Sequence, residues 1–461
     1  MMMRRRLCAS LRPVALALAL GPGLAGASWA LTFREAYDAA RGYDAQYRAA
    51  NYERESTQLN LPIARSQLYP QISLSGSTAE VTGKREFPNS LNQEFRTRLD
   101  YGSTQTALQL RMPIFNYDSL SRVRIAEAQS EGAESTYLAR GLDLVDRLTT
   151  AYLQVLLAQE ALALAESQTV TLNSQLERGR QRFARGEGTR IEVAQTQSAL
   201  SVGEARRLEA ADQVRVAQRD LKRQIGIEVP PLQQMAPDYV PQSMLPERLE
   251  EWLDQAYRNN PTLRAKEQAL VAARMNVQRN FAGHLPRLDL VASVGRTSSD
   301  SLSTLNQTAV QRSLGVQFNL PLYSGGGVDA SVKQALADQG RAEEDIRAQR
   351  EAIAVELQRQ FLAVNNGQTK IAAYRSAVDA QAVVVTGLTR AIDAGLATST
   401  DLLDAQSKLY SASRDWLQVR YEYLLSRVRL NAQAGAAMTD IAADIDGILT
   451  ASPRLADGSG K

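Results

Sequence analysis

The chain has 461 residues, enough for two or three ordinary domains, but holds only 15 Pro and 8 Phe, and its long unbroken stretches of Ala, Gln, Leu, Arg and Glu favour long helices. Of its 53 basic residues, Arg4, Arg5, Arg6 and Arg12 fall in the first 30, so the rest of the chain balances its 50 acidic residues to within one and no basic patch stands out for a nucleic acid. One cysteine, Cys8, and one histidine, His284, leave no disulfide framework or Cys/His metal centre and little means of nucleophilic or acid-base catalysis.

Residues 1–30 have the three-part layout of a secretory signal peptide: Arg4-Arg5-Arg6, an apolar stretch from Val14 to Leu20, and small residues ending at Ser28-Trp29-Ala30. Cleavage is expected near Ala30. The apolar run is too short to span a bilayer and is broken by Gly21, Pro22 and Gly23. Cys8 precedes that run, so it does not read as a lipid-attachment cysteine. No later segment is expected to reach the roughly 18–20 consecutive apolar residues of a membrane helix, so entry into a membrane would require a β-barrel.

From there the chain states nearly the same plan twice. A helical stretch over 32–64 leads to Leu68-Tyr69-Pro70-Gln71-Ile72-Ser73-Leu74, which alternates with period two. Thr82 to Arg98 is rich in turn-forming and charged residues and reads as an exposed loop. Alternation returns at Leu108, Leu110 and Met112 and ends at Pro113. A long helix is expected over 116–185, a turn at Gly186 and Gly188, and a shorter helix over 189–225. At 1.5 Å per residue these reach roughly 100 and 55 Å. Leu144, Leu148, Ala151, Val155, Ala158, Leu162 and Ala165 follow alternating steps of four and three, the seam of a coiled packing.

A proline-rich connector, 227–246, separates this first repeat (31–226) from the second (247–435). The second runs through a helix over 247–281, then His284-Leu285-Pro286-Arg287-Leu288-Asp289-Leu290, a Ser/Thr/Asn loop from Thr297 to Gln311, and Leu314 to Pro321. Long and short helices over 328–394 and 398–434 follow, broken at Gly395. Pro70 and Pro286, and Pro113 and Pro321, are the corresponding junctions between strand and helix. Residues 436–461 read as a polar tail. His284, beside Pro286, has a turn-region role, and Gly325-Gly326-Gly327 lacks the Lys and Ser/Thr of a phosphate loop. No cofactor or metal is implied.

Four strands cannot close a barrel and would leave two open edges, whereas three chains would supply twelve antiparallel strands, an even number suited to an outer-membrane barrel. The ordered motifs, above all Leu320-Pro321-Leu322-Tyr323-Ser324-Gly325-Gly326 and Asp401-Leu402-Leu403-Asp404-Ala405-Gln406, resemble the TolC family of outer-membrane efflux and type I secretion proteins over essentially the whole mature chain. That resemblance implies a mainly α homotrimer with a twelve-stranded membrane β-barrel and a helical periplasmic tunnel. It implies a passive duct of a Gram-negative outer membrane, working with a periplasmic membrane-fusion adaptor and an inner-membrane ABC exporter or other pump to pass proteins or small molecules. The competing reading is a periplasmic coiled-coil scaffold or adaptor without a pore. An adaptor would show one helical hairpin between soluble β-domains, not two hairpin-bearing halves.

The resemblance also implies site roles. Asp401 and Asp404, three apart on one helix face, match aspartates that form the narrowest, cation-selective ring. Glu192 matches an acidic position of the entrance latch. The family's latch tyrosine and arginine are replaced here by Ile392 and Ala397, which makes Arg190 the candidate substitute. The turns at Gly186, Gly188 and Gly395 are the expected tips for partner docking. The missing lipid-attachment cysteine favours the protein-secretion branch.

Overall fold

The computed structural model describes residues 30–88, 94–236, 239–241, 244–299 and 307–450. The expected signal peptide and the last residues of the tail lie outside these. Three short helices open the described chain: α1 (Phe33–Tyr43), α2 (Ala45–Gln58) and α3 (Asn60–Ser66). Strands β1 (Gln71–Pro88) and β2 (Glu94–Phe115) lead to α4 (Tyr117–Ala184) and α5 (Arg190–Ile225). After the short β3 (Gln234–Met235), the order resumes with α6 (Leu249–Asn259), α7 (Pro261–Phe281), β4 (Arg287–Ser299), β5 (Gln307–Asn319), α8 (Gly327–Asp393) and α9 (Ser399–Gln433). Helix α10 (Met438–Ile448) and β6 (Leu449–Thr450) end it.

The four long strands form one antiparallel sheet in the order β1-β2-β4-β5, so the hairpins meet along the β2–β4 seam. Two expectations are corrected here. The ribbon expected as a loop over Thr82–Arg98 is mostly strand, paired from Gln71↔Arg111 out to Pro88↔Glu94. Likewise β4 reaches Ser299 and β5 restarts at Gln307, inside the second expected loop. Both faces of these outer ribbons meet solvent, so burial imposes no apolar alternation, and backbone pairing with cross-strand contacts such as Arg96–Glu86 (2.9 Å) holds them. Pro70 and Pro286 each stand one residue before a strand, and Pro321 lies between β5 and α8. Pro113 is inside β2, which continues to Phe115 across a register shift.

Helix α4 packs against α5, α7 and α9, and α8 against α7 and α9. All but Leu162 of the expected seam on α4 are buried, and Leu162 is half-buried. One stretch of α4 is long and apolar enough to cross a membrane by composition alone, contrary to the sequence expectation, but half of it is buried inside the chain. Its apolarity serves the main core, where Leu144, Leu148, Tyr152 and Leu156 meet Phe33 of α1, Leu221 of α5 and Leu424 of α9.

The tail read as polar joins the same core through Ile441, Ala442 and Ile445 of α10. Its acidic face hides the apolar one from a composition count: Asp444 pairs with Arg427 (2.5 Å), and Asp446 accepts the Phe33 and Arg34 N–H groups (2.8 and 3.2 Å) at the start of α1. Tyr152 ties the outer segments to α4. Its hydroxyl donates to the Leu31 carbonyl (2.7 Å) and accepts from the Gln233 N–H (3.1 Å).

Candidate functional site: the acidic helical turns

The turns between α4 and α5 and between α8 and α9 are built alike. Each long helix ends with a glycine in the left-handed region, Gly186 (φ 78°) and Gly395 (φ 74°), where an L side chain is strained. In the first turn Gly186 N–H donates to Phe183 O (3.0 Å) and Glu187 N–H to Arg182 O (2.9 Å); in the second Gly395 donates to Ile392 O (3.0 Å) and Leu396 to Ala391 O (2.8 Å). Gly188 needs no such conformation and fits beside Phe183 and Arg182 just before the next helix. With long helices of 68 and 67 residues, the turns stand about 100 Å from the sheet.

Each following helix opens with a reciprocal capping box. Thr189 N–H donates to Glu192 Oε2 and Glu192 N–H to Thr189 Oγ1, both at 3.2 Å. Thr398 donates through its N–H (3.0 Å) and its hydroxyl (2.7 Å) to Asp401 Oδ2, and Asp401 N–H returns a bond to Thr398 Oγ1 (3.2 Å). The Thr398 hydroxyl and N–H hold the exposed Asp401 carboxyl below the usual carboxylate range. Asp404, one turn on, is exposed and pairs with Lys408 Nζ at 2.7 Å. The two aspartates thus share the first turns of α9, each already engaged within its own chain.

Glu192 and Arg190, the residues expected to latch the entrance, are arranged differently from a simple ion pair. Glu192 is half-buried and turned back on Thr189, and among the described residues no ion pair joins it to the exposed Arg190. The two turns are nevertheless tied together. Thr400 Oγ1 donates to Gln195 Oε1 (2.9 Å), and Leu403 packs on the buried Leu172, Leu176 and Leu200. The sequence reading missed the threonines and this cross-link. Thr-x-x-Glu and Thr-x-x-Asp directly after a glycine turn are visible capping signals, whereas nothing local marks Gln195 and Thr400 as partners.

His284 Nε2 lies 3.2 Å from Asp329 Oδ1 at the start of α8, a junction contact far from the turns. No group of His, Cys, Asp and Glu suited to a metal ion occurs among the described residues.

Against this geometry, the profile of the outer membrane efflux protein family matches residues 36–227 and 252–436. The chain belongs to that family. It is 32% identical over 414 residues to the proteases secretion protein PrtF of Dickeya chrysanthemi, covering 89% of each chain. It is 30% identical over 414 residues to the alkaline protease secretion protein AprF of Pseudomonas aeruginosa, covering 88% of this chain and 85% of that one. Against the outer membrane protein TolC of Escherichia coli identity is 25% over 435 residues, with 92% and 86% covered. The solved outer membrane protein VceC of Vibrio cholerae superposes with a TM-score of 0.74 at 18% identity, covering 88% of this chain and 96% of that one, a likeness of fold. As an outer membrane efflux family member, the chain is an outer-membrane exit duct for secretion or efflux with a large periplasmic portion. Its named relatives are transport and channel proteins.

Proposed function

We propose that three copies close their sheets into one twelve-stranded barrel, continue as a helical tunnel, and form the passive exit duct of a type I protein-secretion system. The observation that supports this most is the sheet itself. It has two open edges, β1 and β5, and its even-numbered positions place Ile72, Leu74, Leu108, Leu290, Val294, Leu314, Val316 and Phe318 on one face. Leu74 and Leu314 are 73% and 78% exposed. A single chain in water leaves this apolar face and both edges unsatisfied, while a closed barrel turns the face to lipid and removes the edges.

The opposite face suits a lumen. Near the helices it presents Gln71, Ser73, Gln109, Ser293, Ser313 and Gln317, its Arg111 is closed on Asp289 at 2.5 Å, and Arg287 stands at its helix-proximal rim opposite Asn319. Such a wall hydrogen-bonds to an extended polypeptide and carries little uncompensated charge. A protein cargo is further supported by PrtF and AprF, both named for protease secretion. In this reading the Gly186, Gly188 and Gly395 turns dock onto a periplasmic adaptor and an inner-membrane ABC exporter, which supplies the energy. Asp401 and Asp404 of three chains form the cation-selective entrance, and Glu192 and Arg190 are its latch residues, Arg190 reaching a partner on a neighbouring chain.

The test is single-channel conductance in a planar bilayer for the wild type and for Asp401→Asn/Asp404→Asn, with and without a trivalent cation. Asn keeps an oxygen for the Thr398 cap. A small cation-selective current, blocked by the trivalent ion in the wild type and not in the variant, is expected. A well-folded sample without a channel would favour the pore-free scaffold.

A further inference from the structure

We propose that Arg296 and Arg312, on the outward face of the β4–β5 hairpin, bind the phosphate of a phosphorylated lipid headgroup in the outer leaflet; this rests on the barrel reading above. The register places them together. Arg296 stands opposite Val310 and Arg312 opposite Val294, so the arginines are diagonal neighbours on one face, with side chains rooted about 7–8 Å apart. That face is the apolar one: both are even-numbered, like Leu290, Val294, Leu314 and Val316.

Both arginines are exposed, and among the described residues neither has an ion-pair or hydrogen-bond partner. No even-numbered position of β4 or β5 is acidic. The contrast with Arg111 is informative. That arginine is on the opposite face and is closed by Asp289, whereas the two outward guanidiniums are left open.

Their height fits a headgroup. Both strands join helices at the Arg287 and Asn319 ends, so Arg296 lies on the far side of the sheet, about 30 Å along a strand from Arg287. At a strand tilt of about 40° it sits near the top of an apolar band about 25 Å tall. Unpaired guanidiniums there require an anion or water, and two planar forks match the oxygens of a phosphate. Leu314 and Val316 lie directly below on β5, where acyl chains of the same molecule would run. A phosphate with chains attached satisfies both levels; a free phosphate satisfies one.

The test reconstitutes the full protein in phosphatidylcholine nanodiscs containing a bis-phosphorylated, acylated glucosamine disaccharide or its dephosphorylated form. Lipid retained through detergent washing is counted by mass spectrometry. The wild type should retain the phosphorylated form about tenfold better. Arg296→Gln/Arg312→Gln should lose that preference, Arg296→Lys/Arg312→Lys should restore part of it, and inorganic phosphate should not compete. Equal retention of the two lipids, an unchanged preference in the Gln variant, or displacement by inorganic phosphate would overturn the site. Flotation with vesicles is scored separately. A chain that floats but shows no phosphate preference sinks the site alone; a folded chain that never floats sinks the barrel reading, and the site with it.

Discussion

Thr400 Oγ1 donates a 2.9 Å hydrogen bond to Gln195 Oε1 across 205 residues of sequence, and this bond joins the two helical turns at their acidic ends. Thr400 lies within the Thr398–Asp401 capping box and Gln195 one turn beyond the Thr189–Glu192 box, and both are exposed, so the bond competes with water and contributes toward the low end of about 0.5–1.5 kcal/mol. Thr400→Val is expected to let the turns separate more often, raising the open probability of single channels roughly twofold to tenfold. An unchanged gating pattern would show that the bond does not restrain the entrance.

Thr189→Ala removes a capping oxygen from α5 at a cost of about 0.5–2 kcal/mol, with faster amide exchange over Ile191–Val193 as the readout. The Thr398 box adds a pH dependence. Asp401 titrates below its unfolded value, so its support of α9 is present above the unfolded carboxylate pKa and is lost as pH falls through the lower folded pKa. Exchange at Asp401 and Leu402 should therefore rise on acidification in the wild type and vary little in Thr398→Ala.

Leu314→Arg places a charge in the middle of the outward apolar face and should cost about 2–4 kcal/mol of membrane insertion. Gln109→Arg, on the opposite face, should insert normally and shift ion selectivity toward anions. Membrane fractionation and reversal potentials read the two effects. Equal tolerance of both substitutions would mean that the faces are not divided between lipid and lumen.

Tyr152→Phe deletes the hydroxyl that bridges Leu31 and Gln233 and leaves only the 3.3 Å bond from the Gln233 N–H to the Leu31 carbonyl between them. The expected loss is about 0.5–1.5 kcal/mol, seen as earlier protease cleavage near residues 231–235.

Arg147 closes on Asp44 through two bonds, at 3.0 and 3.1 Å. Burial alone would raise the Asp44 carboxyl, but the Arg147 guanidinium and the Tyr47 N–H hold it below the usual range. Its contribution is present above the unfolded pKa and fades as pH falls through the folded one. Arg147→Met strands a buried carboxylate and should cost about 3 kcal/mol at neutral pH. That loss, measured by denaturant unfolding, should shrink in acid.

The long helices were legible because their signals are local. Helix α4 runs Tyr117–Ala184 where periodicity and the Gly186 breaker place 116–185, and α9 runs Ser399–Gln433 where the sequence places 398–434. The alternating residues around Pro70, Pro113, Pro286 and Pro321 likewise marked four strands. Strand length was misread for Thr82–Arg98 because a ribbon exposed on both faces needs no apolar repeat. The tail was misread because Ile441 and Ile445 alternate with Asp440, Asp444 and Asp446, and the partners of the last two, Arg427 of α9 and the start of α1, are supplied by other helices.

By itself the sequence determined where the four longest helices start, turn and stop, that the strands have one apolar face, and that Asp401 and Asp404 share a helix face, but it ran α1 to α3 and α6 to α7 together and missed α10. Those properties follow from backbone propensity, period and breakers within a few residues. Only the tertiary structure decided that β2 lies against β4, that α10 completes the core around Tyr152, and that Thr400 reaches Gln195. It also set Arg296 beside Arg312, and Arg111 against Asp289. Each of these depends on residues far apart in the chain coming into register, which burial of the shared core and the backbone ladder of the sheet bring about together.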